Sequence, residues 1–398
     1  MKIQSQLIVI SVLRTILNTM HRMVYPFLTV FAQGLGVDVT QISFALTGRN
    51  VVAIFGPMLA TVSDVRGRKF GMLLGVGLFA TGTSLMALWP GLLTFGAALI
   101  LAMLGIALFN PAIYAYLGDQ VAYEQRGRAS AITEIAWSAA FIAGVPAMGW
   151  LIAHLGWQSP FKVLAALGFV MLAVLWRMIP RDAGGSKAAS PLRHVPTVMR
   201  SIPALAGVSV AMWASAANEM ITLNFGVWLA NSFQLRIEAL AGASAVIGLS
   251  ELTGESLVAT VTDRIGKPLA VAIGICVNIL ASALLPWIGR TELGALAGLF
   301  LFYLSFEYLI VSQMPMMTEV LPGARATTMA LNFMGNGAGR SLGALLSTIM
   351  YAKVGFGAVT AVALLFDVLS LLALAEMQQK LVIVPRLLAW LRRTTRSR

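Results

Sequence analysis

Long apolar runs alternate with short polar turns over nearly the whole chain. An α-helix needs about 20 apolar residues to cross the hydrocarbon core of a bilayer, and only helices and closed barrels satisfy their backbone there. The pattern predicts twelve helices, roughly 7–32, 40–63, 70–89, 92–118, 129–154, 160–179, 202–230, 238–262, 268–288, 293–318, 325–352 and 356–378. Turns such as Trp89-Pro90-Gly91 are a few residues long, whereas the stretch from Pro180 to Arg200 carries Gly184-Gly185-Ser186 and reads as a linker. The expected architecture is an all-α membrane protein of two six-helix bundles, residues 1–180 and 201–380. A cytoplasmic linker, 181–200, joins them, and a basic tail, 381–398, follows.

A repeat underlies this pattern. Asp64-Val65-Arg66-Gly67-Arg68-Lys69 separates the second and third apolar runs, and Asp263-Arg264-Ile265-Gly266-Lys267 separates the eighth and ninth. The two aspartates are 199 positions apart, half of the 398 residues. Gly156-Trp157 and Gly355-Phe356 repeat at the same interval, and Arg128-Ala129 and Arg325-Ala326 open the fifth and eleventh helices. Two parallel repeats related by an axis along the membrane normal are a known transporter layout.

Composition agrees: 58% hydrophobic, 11% charged, mean hydropathy +0.83, against roughly 25% charge in a soluble domain. The net charge of +12 does not imply nucleic acid, because the basic residues sit in short loops. With both termini placed in the cytoplasm, 20 of the 28 Lys and Arg fall on that side, and Lys162, Arg236, Arg290 and Lys353 are the four in outer loops. The tail after Pro385 is basic with interleaved Leu and Trp, suited to an anionic leaflet. Cys276 is the single cysteine and His21, His154 and His194 lack metal-ligand spacing, so no disulfide, metal or cofactor is expected.

The Asp-x-x-Gly-Arg-Lys turn resembles the loop 2–3 signature of the major facilitator superfamily, G-x-x-x-D-R-x-G-R-K. Ala60 replaces its first Gly and Val65 its first Arg. The second copy matches at Asp263, Arg264, Gly266 and Lys267. The resemblance implies a cytoplasmic gate, with Asp64 facing the start of helix eleven near Arg325 and Arg68 reaching the acid that ends helix four, Asp119. Gly67 and Arg128 are counted with the gate. Ala143-Gly144-Val145-Pro146-Ala147-Met148-Gly149 is similar to the Gly-Pro-x-x-Gly-Gly motif of exporters, although Leu101 and Gly105 stand where drug–proton antiporters carry Arg then Gly. Similarity to bacterial efflux-type members implies residence in the inner membrane, and a monomer is expected.

Charges within spans are costly, about 2.5–3.5 kcal/mol each on insertion scales, and are functional candidates for that reason. They are Arg14, His21 and Arg22 in helix one, Arg49 in two, Glu134 in five, Glu219 in seven, Glu251 and Glu255 in eight, Glu307 in ten, Arg340 in eleven and Asp367 in twelve. By the resemblance all but Asp367 lie on cavity-lining helices. Helical spacing puts Arg14, Asn18, His21 and Tyr25 on one stripe, Ser244, Gly248, Glu251, Glu255 and Thr262 on another, and Tyr303 with Glu307, Asn332 with Asn336 and Arg340, and Asn110 with Tyr114 on others. A basic wall (Arg14, Arg22, Arg49) faces an acidic one (Glu219, Glu251, Glu255, Glu307). The walls can hold a ligand, the arginines taking its anionic group, or close as salt bridges. Glu251 and Glu255, one turn apart, repel when both are ionised and lead the proton-coupling candidates. No G-x-x-x-x-G-K-[ST] segment is present, so a proton or sodium gradient, or the substrate's own, is the expected energy source. The reading is a secondary transporter, not an enzyme, exporting an amphipathic or lipophilic small molecule against protons. The alternatives are an importer or facilitator of a sugar or organic ion, a lipid flippase and, remotely, a non-transporting receptor.

Overall fold

A computed structural model describes residues 3–121, 133–180 and 194–378, all of it helix and connecting turn. The first rod, α1, runs Ile3–Arg22 and resumes as Leu28–Leu35; α2 runs Val39–Ile54 and then Gly56–Arg66. Next come α3 (Arg68–Leu88) and α4 (Leu92–Gln120), α5 (Thr133–Leu155) and α6 (Ser159–Met178). After the short helix Val195–Met199 the second set begins with α7 (Ile202–Phe233). Then come α8 (Ile237–Leu257), α9 (Lys267–Ile288), α10 (Glu292–Val320), α11 (Arg325–Val354) and α12 (Phe356–Met377). Seven of these, α3, α4, α5, α6, α9, α10 and α12, can cross a membrane by length and apolarity alone. The other five carry Arg14 and Arg22, Arg49, Glu219, Glu251 and Glu255, and Arg340, and α2 is also divided into segments of 16 and 11 residues.

The helix-to-helix turns repeat as the sequence does. Gly67 and Gly266 have φ of 98° and 87°, Gly156 and Gly355 of 86° and 100°. Each pair is 199 positions apart, and this backbone region is open to glycine and strained for other residues. Gly36 (φ 65°) has its counterpart in Gln234 (φ 54°), the one non-glycine residue at positive φ among those described.

Helices pack within each half: α3 on α4 and α6, α2 on α4, α7 on α11 and α12, α9 on α10 and α12. Between the halves α2 packs on α11 and α5 on α8, related by the same repeat. At the end away from the termini the seam is tight. A Cβ on Gly226 of α7 would lie 2.7 Å from the Tyr25 carbonyl oxygen and from Pro26 Cα, and one on Gly149 of α5 would lie 2.7 Å from Ala241 Cβ of α8. Towards the terminal end, Glu134 keeps 47% of its side chain exposed and Glu255 is half-buried.

Candidate substrate cavity

Three local irregularities set the cavity wall. Pro26 lacks an N–H and disfavours helix at Tyr25, so α1 opens between Arg22 and Leu28 and Tyr25 points across the seam. Pro146 cannot donate to the carbonyl four residues back, and α5 widens into a π-helical turn, Ala140–Gly144, just before it. That turn presents Phe141, while Gly144 admits α1, since a Cβ there would meet Thr19. In α8 a second π-helical turn, Val258–Thr262, corrects the stripe read from the sequence. Its extra residue rotates Thr262 away, onto Ser312 of α10 at 2.9 Å, and Gly248 packs on Phe141 and Ile142.

The cavity lies between the halves. His21, Arg22 and Tyr25 of α1 line it with Trp137 and Phe141 of α5, Asn218 and Thr222 of α7, Glu251 of α8, Tyr303, Phe306 and Glu307 of α10, and Arg340 of α11. Arg22 and Glu251 form a two-pronged ion pair across the seam, each side chain 4% exposed. Fork-on-fork geometry is the strong form of this contact. The guanidinium of Arg22 also donates to the Trp137 carbonyl at 3.1 Å and sits 4.2 Å and 3.6 Å from the ring centres of Trp137 and Phe141.

Glu219, fully buried, forms the second bridge. It accepts from Tyr25 Oη (3.0 Å), Asn50 Nδ2 (3.0 Å) and Arg340 Nη1 (3.2 Å). Tyr25 Oη in turn accepts from Arg49 Nη2 at 2.6 Å. Arg49 gives its remaining donors to the His21 carbonyl (3.0 Å) and Asn50 Oδ1. Thus α1 and α2 of one half meet α7 and α11 of the other through one satisfied network, as a buried charge requires.

Several residues expected in the cavity wall are absent from it. Arg14 donates to Tyr114 Oη (2.9 Å), the Thr133 carbonyl (3.0 Å) and Glu134 (3.0 Å), all within the first half. Asn18 donates to the Ala136 carbonyl at 3.3 Å. Arg49 and Glu219 lie behind Tyr25 and Arg340, and Asn336 accepts from Arg340 Nε at 3.2 Å. Asn332 exchanges two hydrogen bonds with Gln313 of α10, which turns it away from the seam. Asn110 Oδ1 is buried without a partner, and Glu255 accepts from Ser138 at 3.5 Å. Asp367 is buried outside the cavity and accepts from Ser282 of α9 at 3.3 Å.

Sequence reasoning missed Trp137, Phe141, Asn218, Thr222 and Phe306. Asn218 and Thr222, polar and one turn apart beside Glu219, were the available signal. The aromatic residues gave none, since such side chains are ordinary in spans.

At the terminal end Arg68 Nε donates to Asp119 Oδ2 at 3.3 Å, and Lys267 pairs with Glu319 at the end of α10, the same arrangement in the second half. Lys69 donates to the carbonyls of Trp176 (2.7 Å) and Ile179 (2.6 Å), capping α6. The Gly56–Arg66 segment packs on α11. The side chain of Asp64 and the whole of Arg128 lie outside the described residues, and Asp263 and Arg264 sit in the last helical turn before Gly266.

The family profile described as Major Facilitator Superfamily matches residues 10–318. The chain belongs to this superfamily. It is therefore a multi-pass secondary transporter of a small-molecule substrate in a lipid bilayer. It is similar to the uncharacterized MFS-type transporters YceJ and YwfA of Bacillus subtilis (strain 168). YceJ is 24% identical over 327 residues, 80% of this chain and 82% of YceJ; YwfA is 24% identical over 347, 84% and 82%. The inner membrane transport protein YdhP of Escherichia coli (strain K12) is 25% identical over 161 residues, 40% of this chain and 41% of YdhP. Among solved structures, the inward-facing, occupied form of a bacterial homolog to the human lysosomal transporter Spinster superposes with TM-score 0.71 at 15% identity, covering 95% of this chain and 96% of that one. The human organic anion transporter MFSD10 (TETRAN) superposes with TM-score 0.68 at 17% identity, covering 94% and 98%. At these identities the likeness is one of fold.

Proposed function

We propose that this transporter is a proton-coupled exporter of an amphipathic or lipophilic small molecule. It works by alternating access between the bundles 1–180 and 201–380, as a monomer in a bacterial inner membrane with both termini cytoplasmic. The observation that carries this reading is a cavity at the seam that sets aromatic rings (Tyr25, Trp137, Phe141, Tyr303, Phe306) beside polar and charged side chains, among them a carboxylate, Glu307, with no hydrogen-bond or ion-pair partner among the described residues. Aromatic faces beside fixed polar groups suit an amphipathic ligand, and an unpaired acid among them suits a proton carrier. Of the four coupling candidates, Glu219 and Glu251 are engaged by Arg340 and Arg22. Glu307 and Glu255 therefore become the first choices, in place of the Glu251 and Glu255 favoured by spacing.

Reconstituted vesicles with an imposed pH gradient test the reading. Gradient-driven accumulation of a labelled lipophilic substrate is expected, lost in the Glu→Gln variant that removes the coupling acid, while exchange without a gradient survives. Accumulation retained in all four variants, at Glu219, Glu251, Glu255 and Glu307, would exclude proton coupling through these residues.

A further inference from the structure

Of the charged side chains that line the cavity, all but one stand in pairs. Arg22 is matched by Glu251 and Arg340 by Glu219. Glu307 lines the same space, is 8% exposed, and has neither an ion pair nor a hydrogen bond among the described residues. A buried carboxylate left in this state is strongly disfavoured as an anion and calls for either a proton or a cationic partner. Two other polar groups of the wall are buried and unpartnered, His21 Nδ1 and Asn218 Nδ2. Most buried polar atoms in folded proteins find partners, so these two unmet atoms facing the same space as the free carboxylate of Glu307 mark a place where a ligand can complete the hydrogen bonding.

The wall already shows how it treats a cation. Arg22 holds its charge between a carboxylate and the faces of Trp137 and Phe141, the arrangement aromatic rings favour for cations. The arginines, in contrast, have no charge to spare for an anion. Arg22 gives both terminal nitrogens to Glu251 and the Trp137 carbonyl, and Arg49 gives its three nitrogens to His21, Asn50 and Tyr25, so an anion entering the cavity would have to break one of these contacts; Arg14 stands outside the wall. These contacts weigh against an anionic group held by Arg14, Arg22 and Arg49, the expectation from the sequence.

We propose that the cavity binds an organic monocation, its charge on Glu307, an acceptor atom on Asn218 Nδ2 and its apolar body along the aromatic wall. The inference deepens the exporter reading and rests on it only for the direction of movement. Binding is tested on the purified full-length protein with three probes of one shape: benzyltrimethylammonium, its uncharged isostere neopentylbenzene and the anion benzylsulfonate. The cation is expected to bind at least tenfold more tightly than either of the others and to raise the melting temperature. Glu307→Gln removes that preference, and Glu307→Asp, which keeps the charge, retains part of it and serves if the Gln variant does not fold. Equal binding of cation and isostere, tighter binding of the anion, or a cation preference that survives Glu307→Gln would each overturn the proposal. Glu307-dependent binding without gradient-driven accumulation in vesicles would uphold the site and refute the exporter reading. Proton-driven accumulation of lipophilic solutes without charge preference would do the reverse.

Discussion

At the scale of single residues, the seam is held by two carboxylates of the second half and donors from the first. Removing one member of a buried pair strands the other, at about 3–5 kcal/mol. Arg22→Ala and Glu251→Ala are each expected to lower the melting temperature in detergent strongly, while Arg22→Met with Glu251→Leu recovers most of the loss. Equal melting of the singles and wild type would mean the pair is solvated. Tyr25 is a different case, because its hydroxyl accepts from Arg49 and donates to Glu219. Tyr25→Phe leaves both ends short of a partner, a loss of about 1–3 kcal/mol, read in the same melting experiment. The sequence identified these charges and their helices, because an ionisable residue inside an apolar run stands out. It could not pair them, since Arg22 had four glutamates of the opposite half to choose from, and only the packing of α1 and α8 on the π-helical turn of α5 decides. Asn50 went unnoticed beside Arg49 although it bridges to Glu219 as closely as Tyr25 does.

At the scale of elements, the helix order and the turns were legible because apolar length and glycine turns are local properties. The interruptions were less so. Pro26 and Pro146 are visible in the sequence, but a proline does not announce whether a helix opens, as α1 does, or widens, as α5 does. The π-helical turn of α8 follows no proline, and it rotated Thr262 off the expected stripe. The tight approach of α7 to the bend in α1 makes a prediction. Gly226→Val puts branched carbon where Tyr25 and Pro26 leave no room, so the seam should part at the end away from the termini. A cysteine placed at Thr222 is expected to react several-fold faster with a membrane-impermeant reagent added from that side. Unchanged reactivity would mean that the contact does not hold that end closed.

At the scale of the whole molecule, the internal repeat organises what the two halves share. Arg68 with Asp119 and Lys267 with Glu319 occupy equivalent corners, each within its own half. Exposed pairs of this kind contribute about 0–1 kcal/mol to stability, so their effect is expected on turnover. Lys267→Glu should slow transport severalfold with little change in melting, and Lys267→Glu with Glu319→Lys should restore it. A single variant that transports at the wild-type rate would reduce the corner to a loop contact. The repeat also exposes where the halves differ: Glu307 has no charged counterpart in α4, whose polar residue near that depth is Asn110.

The two bridges across the seam sit near the midpoints of their helices: Glu219 in α7, and Glu251 in α8 with its continuation to Ile265. Arg22 and Tyr25 stand just past the middle of the stretch from Ile3 to Leu35. In a rigid rotation, displacement grows with distance from the axis. A helix of 20 residues is about 30 Å long, so turning it by about 20° about its centre carries each tip about 5 Å, while an atom about 2 Å from the axis moves under about 1 Å. Bonds at mid-depth can survive a swing that separates either tip. The arginine and tyrosine of α1 would then serve as the bearing on which the halves turn, and the latches belong at the ends.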